Sequence, residues 1–87
     1  MSIRHVISVE SNEHKFTQYV REIEKNGEGE IKRVWLTREF EYACVFSGIT
    51  ERYVEENILK IENWINKLDE DYGAKCEKIL VNVERIN

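Results

Sequence analysis

The stretch "NEHKFTQYVREIEKNG", residues 12–27, decides the fold. Its Phe16, Tyr19, Val20 and Ile23 recur at the i, i+3, i+4, i+7 spacing of one helical face. Ser11 stands where an N-cap would, Glu13 falls near the positive end of the helix dipole, and Asn26-Gly27 supplies a C-terminal stop. The reading is a short first helix, and it sets how the strands on either side of it connect.

Upstream, "IRHVISVE" (3–10) reads as a strand, with Ile3, His5, Ile7 and Val9 on one face and Arg4, Val6 and Ser8 on the other. Downstream, "RVWLTREFEYACVFSG" (33–48) is rich in β-branched and aromatic residues, and a polar connection at Arg38-Glu39 predicts a hairpin over 31–46. No glycine or asparagine marks that turn, so a longer loop or a bulge is expected rather than a two-residue connection.

Thr50 reads as the cap of a second helix, with Ile49 and Val54 placed as a hydrophobic staple. Val54, Ile58, Ile61, Ile65, Leu68 and Tyr72 then form a continuous apolar stripe that Gly73 closes. Glu55, Glu62, Asn66 and Asp69 occupy the opposite face, which is expected to lie in water. "AKCEKILVNVERIN" (74–87) supplies a last strand, with Ile79, Val81 and Val83 on one face and Leu80, Asn82 and Glu84 on the other.

The order β-α-β-β-α-β predicts one α+β domain over residues 1–87 of the ferredoxin-like kind, a four-stranded antiparallel sheet with both helices on one face. Right-handed connections place the first strand between the last and the third. In the outer strands, Ile3-Ile7-Val9 and Ile79-Val81-Val83 are expected to meet the helices. In the hairpin, Ile31, Arg33 and Trp35 share a face with Phe40, Tyr42, Cys44 and Phe46, and Val34, Leu36, Ala43 and Val45 share the other. Because large aromatics dominate core energetics, the aromatic face is expected inside. Val34, Leu36 and Val45 then join Val6 and Leu80 in an apolar patch on the helix-free face, of the size that marks interaction sites.

Composition narrows the function classes. The chain has 87 residues and a net charge of −4. Residues 50–72 hold seven acidic against three basic side chains, and the rest of the chain is balanced. The excess therefore lies on the second helix, and the basic stripe that a nucleic-acid binder needs is missing. No apolar run reaches the length of a membrane span, and the N-terminus lacks the pattern of a signal peptide, so a cytoplasmic protein is expected. Cys44 and Cys76 read as free thiols, since a secreted domain of this size would carry more cysteines and neither belongs to a CxxC pair.

No motif names a reaction. A metal site across His5, Cys44 and Cys76 lacks a fourth ligand, and buried packing is the plainer reading of the three. Glu55-Glu56 and Asp69-Glu70-Asp71 do not converge as catalytic carboxylates, because adjacent helical residues point about 100° apart. Acids at a helix C-terminus oppose its dipole, a local disfavour that suits contact with a basic partner surface.

The functional expectation is a small non-enzymatic interaction module, an inhibitor or adaptor of the phage accessory type, with no cofactor and no metal. It would bind a larger protein through Val34, Leu36, Val45, Val6 and Leu80 on the open sheet face, through Glu55, Glu62, Asp69, Glu70 and Asp71 on the second helix, or through both. A homodimeric ligand-sensing domain, pairing through the same sheet face, is the alternative. An RNA-recognition-type binder, stacking bases on Trp35, Phe40, Tyr42 and Phe46, comes third, because "REFEYACVF" carries glutamates where such domains carry a basic, glycine-containing run.

Overall fold

A computed structural model describes residues 3–48 and 50–81. It shows an antiparallel sheet of five strands, β1 (Ile3–Glu10), β2 (Gln18–Lys25), β3 (Ile31–Thr37), β4 (Phe46–Gly48) and β5 (Lys75–Leu80), with one α-helix, α1 (Glu51–Leu68). Single turns of 3-10 helix at Phe40–Tyr42 and Glu70–Tyr72 join the elements. The architecture is α+β, but the two-helix, four-stranded ferredoxin-like arrangement is overturned: residues 18–25 are a strand, not a helix.

The reason lies in one residue. β2 pairs with β3 as Val20↔Leu36, Glu22↔Trp35 and Ile23↔Val34, with a register shift between Val20 and Glu22. Arg21 is thus the extra residue of a β-bulge. The bulge separates the inward-facing Val20 and Ile23 by three positions instead of two, and a strand acquires the i, i+3 spacing of a helix. Asn26-Gly27 likewise turns a hairpin rather than ending a helix. The Asn26 side chain accepts from the amides of Glu28 (2.9 Å) and Glu30 (3.0 Å), and Gly29 takes a left-handed φ of 83°.

The expected hairpin over 31–46 is overturned with the helix. β3 pairs with β2, and β4 pairs with the N-terminal end of β1 as Ile3↔Gly48, Arg4↔Ser47 and His5↔Phe46. β1 is the hub of the sheet. Ser8 and Val9 pair with both β2 and β5, and His5 pairs with both β4 and β5, so β5 holds one edge of β1 while β2 and β4 share the other. β2 leaves β1 after Tyr19, and the chain between β3 and β4 fills the gap, with the Cys44 amide donating to the Val20 carbonyl at 2.9 Å.

Helix α1 covers one face of this sheet. Thr50 caps it as expected, its hydroxyl accepting from the Tyr53 amide at 3.2 Å. The Ile49 half of the expected staple lies outside the described residues. Val54, Ile58, Ile61 and Ile65 are buried against Ile7, Val9, Val20, Ala74 and Cys76, which form the core. The helix ends at Leu68, which is 67% exposed and does not extend the buried stripe. Gly48 passes beneath the first turn of α1, where a β-carbon would come within 2.6 Å of Val54 Cγ2.

The faces also differ from expectation. Ile3, Ile7 and Val9 meet the helix side, as read. Val34 and Leu36 do so too, packing against the core in register with Ile23 and Val20. The aliphatic face of β3 is therefore inside, and Trp35, 39% exposed and opposite Glu22, lies on the helix-free face. In β5, Cys76 and Lys78 are opposite Val9 and Ile7 and so face α1, whereas Ile79 is opposite Val6 on the helix-free side. That reverses the expected inward set; Asn82, Val83 and Glu84 lie outside the described residues. Register shifts occur between β2 and β3, whereas β5 pairs without one, and its inward face is set by its partners on β1.

Candidate protein-interaction groove

The residues expected to form a patch on the helix-free face do not come together there. Val34 and Leu36 are half-buried under α1. Val6 points to the helix-free side but is only 2% exposed, and Leu80, 64% exposed, has the parity of the helix side. Val45 is exposed in the connection before β4. The helix-free face carries Glu22, Glu24, Arg33 and Glu77 around Trp35 and Ile79, and Arg33 Nε lies 3.9 Å from Glu24.

The acidic residues divide into two groups. Asp69, Glu70 and Asp71 sit at the end of α1, where the Asp69 carboxylate accepts from the Asp71 amide at 3.1 Å and shapes the turn into β5. Glu55 and Glu62 belong to a row along one flank of the helix that the apolar stripe conceals: Glu55, Leu59, Glu62 and Asn66, at i, i+4, i+7 and i+11. This row faces β5. At its far end Asn66 holds the Ala74 backbone from both sides, Oδ1 accepting from the amide at 2.7 Å and Nδ2 donating to the carbonyl at 3.1 Å. Asn66 is thus half-buried and bonded, not on a wetted face. At the near end Lys78 Nζ reaches Glu51 at 3.1 Å and Glu55 at 3.5 Å.

Between these two clamps runs an open groove of about 480 Å³, lined by Glu55, Ile58, Leu59, Glu62, Cys76, Glu77 and Lys78. Its floor, Ile58 and Cys76, is apolar, and Leu59 stands on its rim, 55% exposed. Burial, then the nearby Glu62, pushes the Cys76 thiol up to about 12, so the floor is a neutral thiol and not a nucleophile. Two carboxylates of α1, Glu51 and Glu55, hold the one cation of the groove. The hydrogen bond it donates to Glu51, reinforced by the charges of Glu51 and Glu55, holds the Lys78 ammonium above its ordinary range, so that cation is already engaged.

The outer wall of the groove is the free edge of β5. Among the described residues no strand pairs with it. The Val81 amide donates to the Arg4 carbonyl at 3.0 Å, which fixes the alternation of the antiparallel ladder. Lys75, Glu77 and Ile79 direct their backbone groups at β1, and Cys76, Lys78 and Leu80 direct theirs outward. An unpaired row of donors and acceptors therefore borders an apolar floor with acidic walls.

Sequence reasoning named Glu55, Glu62 and Leu80 here but missed Ile58, Leu59, Cys76, Glu77 and Lys78. The signal was present in Leu59, a large apolar residue standing off the stripe and between two glutamates of the same helical row. Cys44 is half-exposed and Cys76 buried, and both are free thiols. Among the described residues no three metal-ligating side chains cluster, and no helix is long and apolar enough to cross a membrane. Comparison of the chain with models of protein families, with curated proteins and with solved structures finds no significant match.

Proposed function

We propose that this protein is a non-enzymatic interaction module that binds an extended, basic segment of another protein as an additional strand on the free edge of β5. The observation that carries this reading is the groove between α1 and β5: open backbone groups at Cys76, Lys78 and Leu80 lie beside an apolar floor walled by Glu55 and Glu62 of the helix. Main-chain pairing along the edge supplies affinity, and alternate side chains supply selectivity. One side chain of the guest, an aliphatic one, enters beside Leu59 and Ile58. Lysine or arginine two positions away in the same strand, on the same face, meets the carboxylates of Glu55 and Glu62.

Self-association through this edge finds less support. A two-fold pairing centred on Lys78 sets two lysines opposite each other and brings two acidic helix flanks together. RNA stacking on Trp35 finds less support as well, because Glu22, Glu24 and Glu77 share its face.

The test uses a displayed library of ten-residue peptides in which every second position, the residues of one strand face, alternates between aliphatic residues and Lys, Arg, Asp, Glu or Ser. Selection is expected to enrich basic alternating peptides whose binding weakens with salt, protects the amides of Cys76, Lys78 and Leu80 from exchange, and is lost in Leu59→Glu. Enrichment of acidic peptides, binding that maps to β3, or no enrichment would overturn it. A mass that doubles with concentration, and protection of the same amides without peptide, would assign the edge to a second copy instead.

A further inference from the structure

His5 is the one described side chain that the fold buries without satisfying. It is 1% exposed, and neither ring nitrogen has a hydrogen-bond partner among the described residues. The residue stands at the junction of three strands, opposite Phe46 of β4 on one side and Leu80 of β5 on the other, with its ring centroid 5.8 Å from that of Phe46. A neutral imidazole left without partners costs some stability; an imidazolium in the same place costs far more, because no acceptor among the described residues receives its N–H groups.

The charged groups around it offer no relief. From β5 the facing titratable group is Lys78, a cation, and the carboxylates of α1 nearest to that side, Glu51 and Glu55, are engaged by the Lys78 ammonium. β4 contributes Phe46, Ser47 and Gly48, none of which titrates in this range. Arg4 and Glu10, on β1 itself, fall on the other face. Burial first, and the Lys78 charge second, lower the affinity of the ring for a proton.

The seam beside His5 is also short. β4 is three residues long and pairs only with Ile3–His5, whereas β5 holds β1 across six pairs from His5 to Glu10 and the core holds it through Ile7 and Val9. Opening free energies are lowest where pairing is short and few apolar groups are buried. We propose that His5 is an acid-released latch: with a neutral ring the β1–β4 seam is closed, and proton uptake by the ring opens that seam while α1 and the β1–β2–β3–β5 sheet stay folded. It is independent of the peptide-binding reading.

The direction in pH follows from the two states. In the open seam the ring takes its ordinary value near 6.5, and in the closed seam a lower one. The open state binds the additional proton, so closure is fully favoured above about 6.5 and loses favour as pH falls below that, down to the closed-state value.

Hydrogen exchange at pH 7.5 and pH 5.0, corrected for intrinsic rates, tests this. Protection of the His5, Phe46 and Gly48 amides is expected to fall about tenfold or more on acidification, with that of Ile61 unchanged. In His5→Phe the fall should vanish. A fall that persists in His5→Phe, or none in the wild type, overturns the latch. Should His5→Phe not fold, nitrogen-15 titration of the wild-type ring decides: protonation must coincide with loss of seam protection, and an imidazolium inside a closed seam overturns the proposal.

Discussion

The two edges of β1 are built differently. On one, β5 runs beside it without a break from His5↔Leu80 to Glu10↔Lys75, under a helix whose flank row clamps β5 at both ends. On the other, β2 pairs for two residues and departs, β4 pairs for three, and an irregular connection fills the space between them. The contrast shows two ways to finish a sheet edge. A continuous strand gains cooperativity and fixes its register; a divided edge tolerates bulges and short pieces because a shared core, Val20 and Ile7 under α1, holds them in place.

Deleting a residue from each side breaks the comparison most sharply. Deletion of Lys78 slips one end of β5 and turns its side chains to the wrong faces; it is expected to remove about 3 kcal/mol or more of stability, or to abolish folding, in a urea titration. Asn66→Ala should follow, at about 2–3 kcal/mol, since it strands both polar groups of Ala74 at the start of the continuous edge. The same measurement should show the protection of β5 amides falling before that of β2.

On the divided edge, Gly48→Ala is expected to cost about 1–3 kcal/mol, because its methyl group enters the first turn of α1 at Val54. Deletion of Arg21 should be the mildest, within about 1 kcal/mol. It removes the bulge and leaves Val20 and Ile23 facing inward opposite Leu36 and Val34. If deleting Arg21 proves as damaging as deleting Lys78, the bulge is a structural requirement and the divided edge is no more tolerant than the continuous one. Thermal melts of the two deletion variants side by side give that answer.

Legibility in the sequence divides along the same line. The continuous side was readable in part: β1 with Ile7 and Val9 inward, the Thr50 cap and the buried stripe from Val54 to Ile65 stand as their spacing indicates, but the inward face of β5 is that of Cys76 and Lys78, not of Ile79. The divided side was not. Arg21 gave a strand the period of a helix, the turn chemistry of Asn26-Gly27 serves a hairpin as well as a helix end, and nothing local shows that Phe46–Gly48 pairs with Ile3–His5 rather than with β3. The candidate groove was half readable. Its acidic wall showed as charge on the helix, but its floor and edge depend on which face of β5 carries Cys76, and that register is set by β1, far away in the chain.

That distance has a consequence for how the molecule comes into being. β1 leaves the ribosome well before its most extensive partner, β5. The ladder joining His5 to Leu80 closes a loop of nearly the entire chain, so the ordering entropy must be spent before that ladder returns any of it. Until β5 has been synthesised, β1 is an apolar strand with one side vacant. The β2–β3 hairpin, closed by five residues around Asn26, is the unit able to form early and wait. Folding should therefore be slow for so small a chain, governed by the meeting of its two ends rather than by the helix between them.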